Sequence, residues 1–138
     1  MDQKLERLKA VPLFSGLKRR ELEEVGRLAD EVDLPAGRKL TVEGRQADEF
    51  FVIVEGTVRV DRGGVTVRRL GSGSFVGEIA LIDGGPRTAT VTTETDGRYL
   101  AVGHREFHSL LERFPSIQLA VLQAVARRVR DLDPESCA

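Results

Sequence analysis

Apolar residues recur at three- and four-residue steps through Lys18–Asp30, where Leu22, Val25, Leu28 and Ala29 stand among Glu21, Glu23, Glu24 and Arg27. That spacing draws one face of a helix. Just before it, Val11-Pro12-Leu13-Phe14-Ser15-Gly16-Leu17 sets large apolar groups beside turn-forming residues and predicts a short helical turn packed on a core. At Val32-Asp33-Leu34-Pro35-Ala36-Gly37 the texture changes. From there to about Val102 the chain is rich in β-branched residues and glycines, with strand-like alternation in Phe51-Val52-Ile53-Val54 and Thr57-Val58-Arg59-Val60-Asp61. Arg62-Gly63-Gly64 reads as a tight hairpin link into Val65-Thr66-Val67-Arg68-Arg69-Leu70. Helical periodicity returns in Arg105–Arg113, with Phe107, Leu110 and Leu111 on one side. Phe114-Pro115-Ser116 breaks it, and Ser116 is placed to cap a last helix from Ile117 to about Leu132.

Short strands divided by glycine-bearing turns, with no long helices between them, favour an antiparallel sandwich or barrel over a parallel α/β sheet. The last helix carries Leu119, Val121, Leu122, Val125, Ala126, Val129 and Leu132. At about 100° per residue they cover roughly half its circumference. Two readings stay open: a deeply buried helix, or one that touches the β-domain on one side and a partner or ligand on the other.

A chain of 138 residues is one domain's worth of core. Its 21 basic and 22 acidic side chains leave a net charge of −1, which argues against a non-specific grip on nucleic acid. Cys137 is the sole cysteine, so a disulfide framework or a cysteine-built metal site is excluded within one chain. The charged Met1–Arg7 segment is unlike a signal peptide, and no apolar run approaches the length of a membrane span. The setting to expect is cytoplasmic, with neither membrane nor nucleic acid as partner.

Two motifs fail on inspection. His104 and His108 lie four apart, but Arg105 stands where a zinc-protease helix needs glutamate and no third histidine exists, so both are expected to be solvated helix residues. Gly71-Ser72-Gly73-Ser74-Phe75-Val76 begins like a dinucleotide fingerprint, yet Val76 occupies the third glycine's place. Nucleophilic catalysis has no supporting constellation either, and the chain is read as a non-enzyme.

Phe75 to Val91 is different. Gly77 ends a strand and Glu78–Ile82 allows a single helical turn, whose unpaired amides form a ready anion site. Gly84-Gly85-Pro86 reverses the chain and delivers Arg87, a planar donor suited to two phosphate oxygens. Thr88-Ala89-Thr90-Val91 resumes a strand with small residues. Glu78 is suited to a ribose hydroxyl or to a pair with Arg87.

The run Gly77-Glu78-Ile79-Ala80-Leu81-Ile82, Asp83-Gly84-Gly85, Pro86-Arg87-Thr88-Ala89-Thr90-Val91 resembles the phosphate-binding cassette of the cyclic nucleotide-binding domain family. Leu13-Phe14-Ser15-Gly16-Leu17, Val42-Glu43-Gly44 with Phe50–Val58, and Phe107 with Leu110-Leu111 are similar to that family's N-terminal helical piece, early strands and hinge helix. The resemblance implies an α+β fold, an antiparallel β-roll or jelly-roll barrel with N-terminal helices and two C-terminal helices. Its divisions would be a helical segment 1–30, a β-roll 31–103 with the cassette at 77–91, and hinge and lid helices 104–132, all in one domain, 1–138.

It also implies roles. Gly77 and the amides of Ile79 and Ala80 would line the phosphate pocket, Glu78 would hold the ribose 2′-hydroxyl, and Arg87 would neutralise the cyclic phosphate. Thr88 and Ala89 would complete the ligand site, with Thr88 able to reach a guanine amino group, although the choice between cAMP and cGMP stays open. Val76 would lie near the base, and Arg128, Val129 and Leu132 on the last helix are the expected lid contacts. Val76 departs from the aromatic common before the glycine, Thr93 and Glu94 are more polar than usual, and Lys18 replaces a capping Ser or Thr.

The implied function is a cyclic nucleotide sensor, with no cofactor beyond that ligand, whose binding moves the C-terminal helices. Since the chain ends soon after the last helix, the output is expected in a partner or a further domain. The alternative is a degenerate scaffold that serves as a dimerisation or protein-docking module, with a homodimer or an effector protein meeting the C-terminal helix.

Overall fold

A computed structural model describes residues 3–132, apart from the side chains of Ile79, Asp83, Asp131 and Leu132. Helix α1 (Gln3–Ala10) and a 3₁₀ turn (Pro12–Phe14) lead into α2 (Arg19–Leu28). Strands β1 (Ala29–Leu34), β2 (Lys39–Thr41), β3 (Glu49–Glu55), β4 (Val58–Arg62), β5 (Val65–Leu70) and β6 (Phe75–Val76) follow. A short helix α3 (Glu78–Asp83) precedes β7 (Thr90–Thr93) and β8 (Gly97–Gly103), and the chain finishes with α4 (His104–Arg113) and α5 (Pro115–Leu132).

The strands form two four-stranded antiparallel sheets, ordered β1-β8-β3-β6 and β2-β7-β4-β5. They remain two separate sheets, the sandwich form of the antiparallel sandwich or barrel that the sequence predicts. Side-chain alternation sorts β3 and β8 between two cores. Phe50, Val52, Leu100 and Val102 pack with Leu8, Phe14, Leu22, Val25, Phe107 and Leu110 of the helical layer. Phe51, Ile53, Tyr99 and Ala101 point the other way and pack with Val58, Val76 and Val91. Because both faces of β3 are covered, its sequence is a continuous apolar run instead of an apolar–polar alternation.

Gly63 and Gly64 link β4 to β5 with φ of 59° and 81°, the left-handed pair that a two-residue hairpin needs. Three boundaries differ from the sequence reading. Ala29 belongs to β1, pairing with Val102, and not to the preceding helix. Lys18 precedes α2 as its N-cap and offers no hydroxyl; Glu21 Oε1 accepts its backbone N–H at 2.9 Å. Ser116 lies inside α5: the helix begins at Pro115, and the Phe114 carbonyl accepts the N–H groups of Ile117 and Gln118. Proline at the first helical position loses no hydrogen bond and has the right φ.

The wide apolar arc of α5 is divided between two environments. Ile117 and Val121 are buried in the helical core and Ala120, Ala124 and Val125 lean on it, whereas Leu119, Leu122 and Val129 are 55%, 64% and 48% exposed. Among the described residues no helix is long and apolar enough to cross a membrane.

Candidate functional site

Helix α3 is bounded by two glycines in the left-handed region, Gly77 at φ 90° and Gly84 at φ 75°. Gly77 has a second reason to lack a side chain. A Cβ there would stand 2.6 Å from Arg87 Nη1 and 3.1 Å from the Glu49 carbonyl oxygen, so the main chain and the guanidinium approach each other only at glycine.

Arg87 is 7% exposed. Its Nη1 donates to the Gly77 carbonyl at 2.9 Å, and its Nη2 donates to the Glu49 carbonyl. Its own backbone is clasped by the β2–β3 loop, since Arg87 N donates to Arg45 O at 2.8 Å and Gly44 N donates to Arg87 O at 2.9 Å. Burial pushes the guanidinium below its ordinary pKa, while Asp48, Glu49 and Glu78 push it back up. The outcome is a cation in a largely desolvated place, held by neutral carbonyls.

Glu78, at 2% exposed, is the most buried acid of the site. Its partner is Arg128 of α5, which donates through Nη1 to Glu78 Oε1 and through Nη2 to the Phe75 carbonyl. The same guanidinium lies 5.0 Å above the centre of the Phe75 ring, a cation–π contact. Of the two partners the sequence suggested for Glu78, a ribose hydroxyl or Arg87, the arginine is therefore corrected to Arg128. Removing either member would leave a desolvated charge.

These groups border one cavity of about 140 Å³ that opens to solvent. Gly77, Glu78, Ala80, Arg87 and Arg128 give it a polar end. Val76 and Val91 line it from the sheets, Thr88 and Ala89 from the bend before β7 (the strand resumes at Thr90, not at Thr88 as the sequence suggested), and β4 and β5 add Val60, Arg62, Val67, Arg68 and Leu70. Thr41 is buried there and welds β2 to the strand after the cassette: its Oγ1 donates to Ala89 O at 2.9 Å and accepts from Val91 N at 3.1 Å. Arg62 Nε donates to the Thr88 carbonyl at 3.2 Å.

Val76, Gly77, Glu78, Ala80, Arg87, Thr88, Ala89 and Arg128 line one cavity. The Ile79 backbone lies in α3, and its side chain is outside the described set. Val129 does not join them: it is exposed on α5 and is not among the lining residues. The Leu132 side chain and Cys137 lie outside the described residues. Sequence reasoning missed Thr41, Arg62, the β4–β5 wall and the carbonyl of Glu49. A buried threonine facing a small-residue strand is a weak signal, and a main-chain carbonyl gives none. His108 is also corrected: it is half-buried, not solvated, and its Nε2 lies 2.9 Å from the Leu81 carbonyl.

The profile of the cyclic nucleotide-binding domain matches residues 31–114. A cyclic nucleotide-gated potassium channel of Rhizobium etli is 37% identical over 119 residues, covering 86% of this chain and 33% of the channel. A CRP-like cAMP-activated global transcriptional regulator of Mycobacterium tuberculosis is 28% identical over 123 residues, covering 86% of this chain and 55% of that protein. The chain therefore spans between a third and about half the length of these relatives. Among solved structures, the catabolite activator protein of Thermus thermophilus superposes with a TM-score of 0.79 at 29% identity, over 90% of this chain and 61% of that one. The N-terminal domain of a Streptomyces coelicolor transcriptional regulator gives 0.68 at 34% identity, over 93% and 95%.

Proposed function

This chain belongs to the cyclic nucleotide-binding domain family, and from that premise we propose that it is a sensor module that binds a cyclic purine mononucleotide and ties binding to the position of α5. The observation that carries the reading is the meeting of a buried guanidinium (Arg87), a buried carboxylate (Glu78) and the start of α3 at one cavity with apolar walls. In this reading Arg87 and the amides of Ile79 and Ala80 take the cyclic phosphate, a monoanion that exchanges its water for charge-assisted hydrogen bonds. Gly77 lets the phosphate approach the backbone, and Glu78 accepts from the ribose 2′-hydroxyl. The purine rests against Val76, Ala89 and the aliphatic residues of β4 and β5.

The base is recognised by donors. Thr88, Arg62 and Arg68 border the cavity, and a guanidinium matches the paired acceptors O6 and N7 of guanine better than the mixed edge of adenine. We therefore expect cGMP to bind at least as tightly as cAMP. Coupling runs through Arg128. A ribose hydroxyl on Glu78 changes what Arg128 meets, so α5 has unequal contacts in the free and bound states, the condition for a population shift. The chain acts here as a regulator of something else and not as an enzyme.

Calorimetric titration with cAMP, cGMP and their non-cyclic monophosphates tests this. Saturable binding of the cyclic forms is expected, and no binding of either overturns the reading.

A second reading rests on α5. Exposed Leu119, Leu122 and Val129 lie three and seven residues apart, the seam along which a second copy's helix packs. Under it the domain is a dimerisation module. Sedimentation should then show a dimer that Leu122→Glu dissociates; a monomeric wild type contradicts it.

A further inference from the structure

The two histidines set aside as a metal motif have a different place in the structure. His108 reaches from α4 to α3, with its Nε2 at 2.9 Å from the Leu81 carbonyl. A carbonyl only accepts, so the imidazole donates, and the neutral ring must carry its proton on Nε2. Leu81 lies in the last turn of α3, where carbonyls lack intrahelical partners; the neighbouring Ala80 carbonyl is taken by Gly84 N at 3.0 Å. The ring is fixed on both sides. It lies 4.6 Å from the His104 ring and edge-on to Phe107 at 5.9 Å and 70°, and Phe107 is itself buried against Phe50 at 4.7 Å.

The need for such a tie follows from the construction of α3. A six-residue helix with a left-handed glycine at each end has two permissive joints and too few internal hydrogen bonds to hold its own direction. Its leading end is held by Arg87 on the Gly77 carbonyl and by Arg128 on Glu78. Its trailing end is held by His108.

We propose that His108 is a positioning residue: its Nε2–H fixes the trailing end of α3 to α4, so that the amides and carboxylate of α3 stand preorganised for the nucleotide. This rests on the binding function argued above. It extends that function to a residue that does not touch the cavity.

The test compares wild type, His108→Leu and His108→Gln by calorimetric titration with cAMP and cGMP. In parallel, hydrogen exchange of the α3 and Gly84 amides is followed in the ligand-free proteins. Loss of one neutral hydrogen bond, on the order of 1 kcal/mol, predicts about a fivefold weaker Kd for His108→Leu together with faster exchange in α3. His108→Gln, whose side-chain amide again offers an N–H, should recover both; a purely steric role would not distinguish the two variants by donor. Wild-type affinity and exchange in His108→Leu overturn the proposal, as does loss in both variants alike. Nitrogen-15 shifts of His108 in the wild type should report a protonated Nε2, and a bare Nε2 overturns it without any variant. If no nucleotide binds the wild type, the sensor reading fails, and exchange and tautomer still decide the latch.

Discussion

Arg87 is a cation that burial opposes and three acidic neighbours sustain, and arginine keeps its charge under such conditions. Its side-chain hydrogen bonds in this structure go to uncharged carbonyls, and in the proposed reading its charge at the cavity would meet an anion. Gly77 must stay bare for this arrangement to exist. Gly77→Ala adds a Cβ to a residue at φ 90° and pushes it against Nη1. Destabilisation of about 1 kcal/mol or more is expected, seen as a lower midpoint in urea together with weakened nucleotide binding. These two positions were legible in the sequence because the chemistry demands their residue types. The carbonyl of Glu49 was not, because every residue has one. Tyr99 makes the same point from the core. Its hydroxyl is fully buried and has no partner among the described residues, and burial raises it above the ordinary 10.0. A neutral form favoured by folding contributes stability that is full below that value and is lost as pH rises through the folded pKa. Tyr99→Phe should therefore cost little at neutral pH and should flatten the alkaline loss of stability. As this chain has one tyrosine and no tryptophan, tyrosinate absorbance in the wild type reports the group alone, and ionisation at 10.0 or below would contradict its place in the core.

At the scale of elements, α3 and α5 are joined by a charge pair of which one member, Glu78, is almost wholly buried. Arg128→Ala leaves that carboxylate without its partner, at a cost of about 1–3 kcal/mol for an unsatisfied buried group. The expected result is a lower melting temperature in the free protein, with part of the loss recovered in Arg128→Ala/Glu78→Gln. Additive losses in the double variant would show that the two side chains do not act together. The breadth of the apolar arc on α5 could be read from the sequence, and the structure resolves it into a buried face and an exposed one. Which side chains face which environment depends on where the sheets and α4 lie, and periodicity alone does not carry that. β3 shows the converse. Its continuous apolar run marks a strand covered on both faces, and it is the helical layer, far along the chain in both directions, that covers the second face. The start of α5 was misplaced because a serine after a proline looks like a cap, while the proline's own fixed φ begins the helix.

On the scale of the whole molecule, the cavity stands where the two sheets, α3 and α5 come together. The sheet of β2, β7, β4 and β5 provides apolar walls and the rim arginines, the other sheet provides Val76, and α3 provides the polar end. In the proposed reading a ligand there would touch elements distant in sequence, and its binding energy would be shared with the placement of α5 through the Arg128–Glu78 pair. Such sharing would let a small anion act on a helix. The cassette was readable because its parts are contiguous; the β4–β5 wall became visible only once the strands were paired. The central claim is that the Arg87 guanidinium binds the ligand's phosphate, and calorimetry of wild type, Arg87→Ala and Arg87→Lys with cAMP and cGMP tests it most directly. A lost charge-assisted clasp of about 1.5–3 kcal/mol predicts binding weakened roughly ten- to more than a hundredfold in both variants, in proteins that still unfold cooperatively. Undiminished affinity in Arg87→Ala would contradict the account.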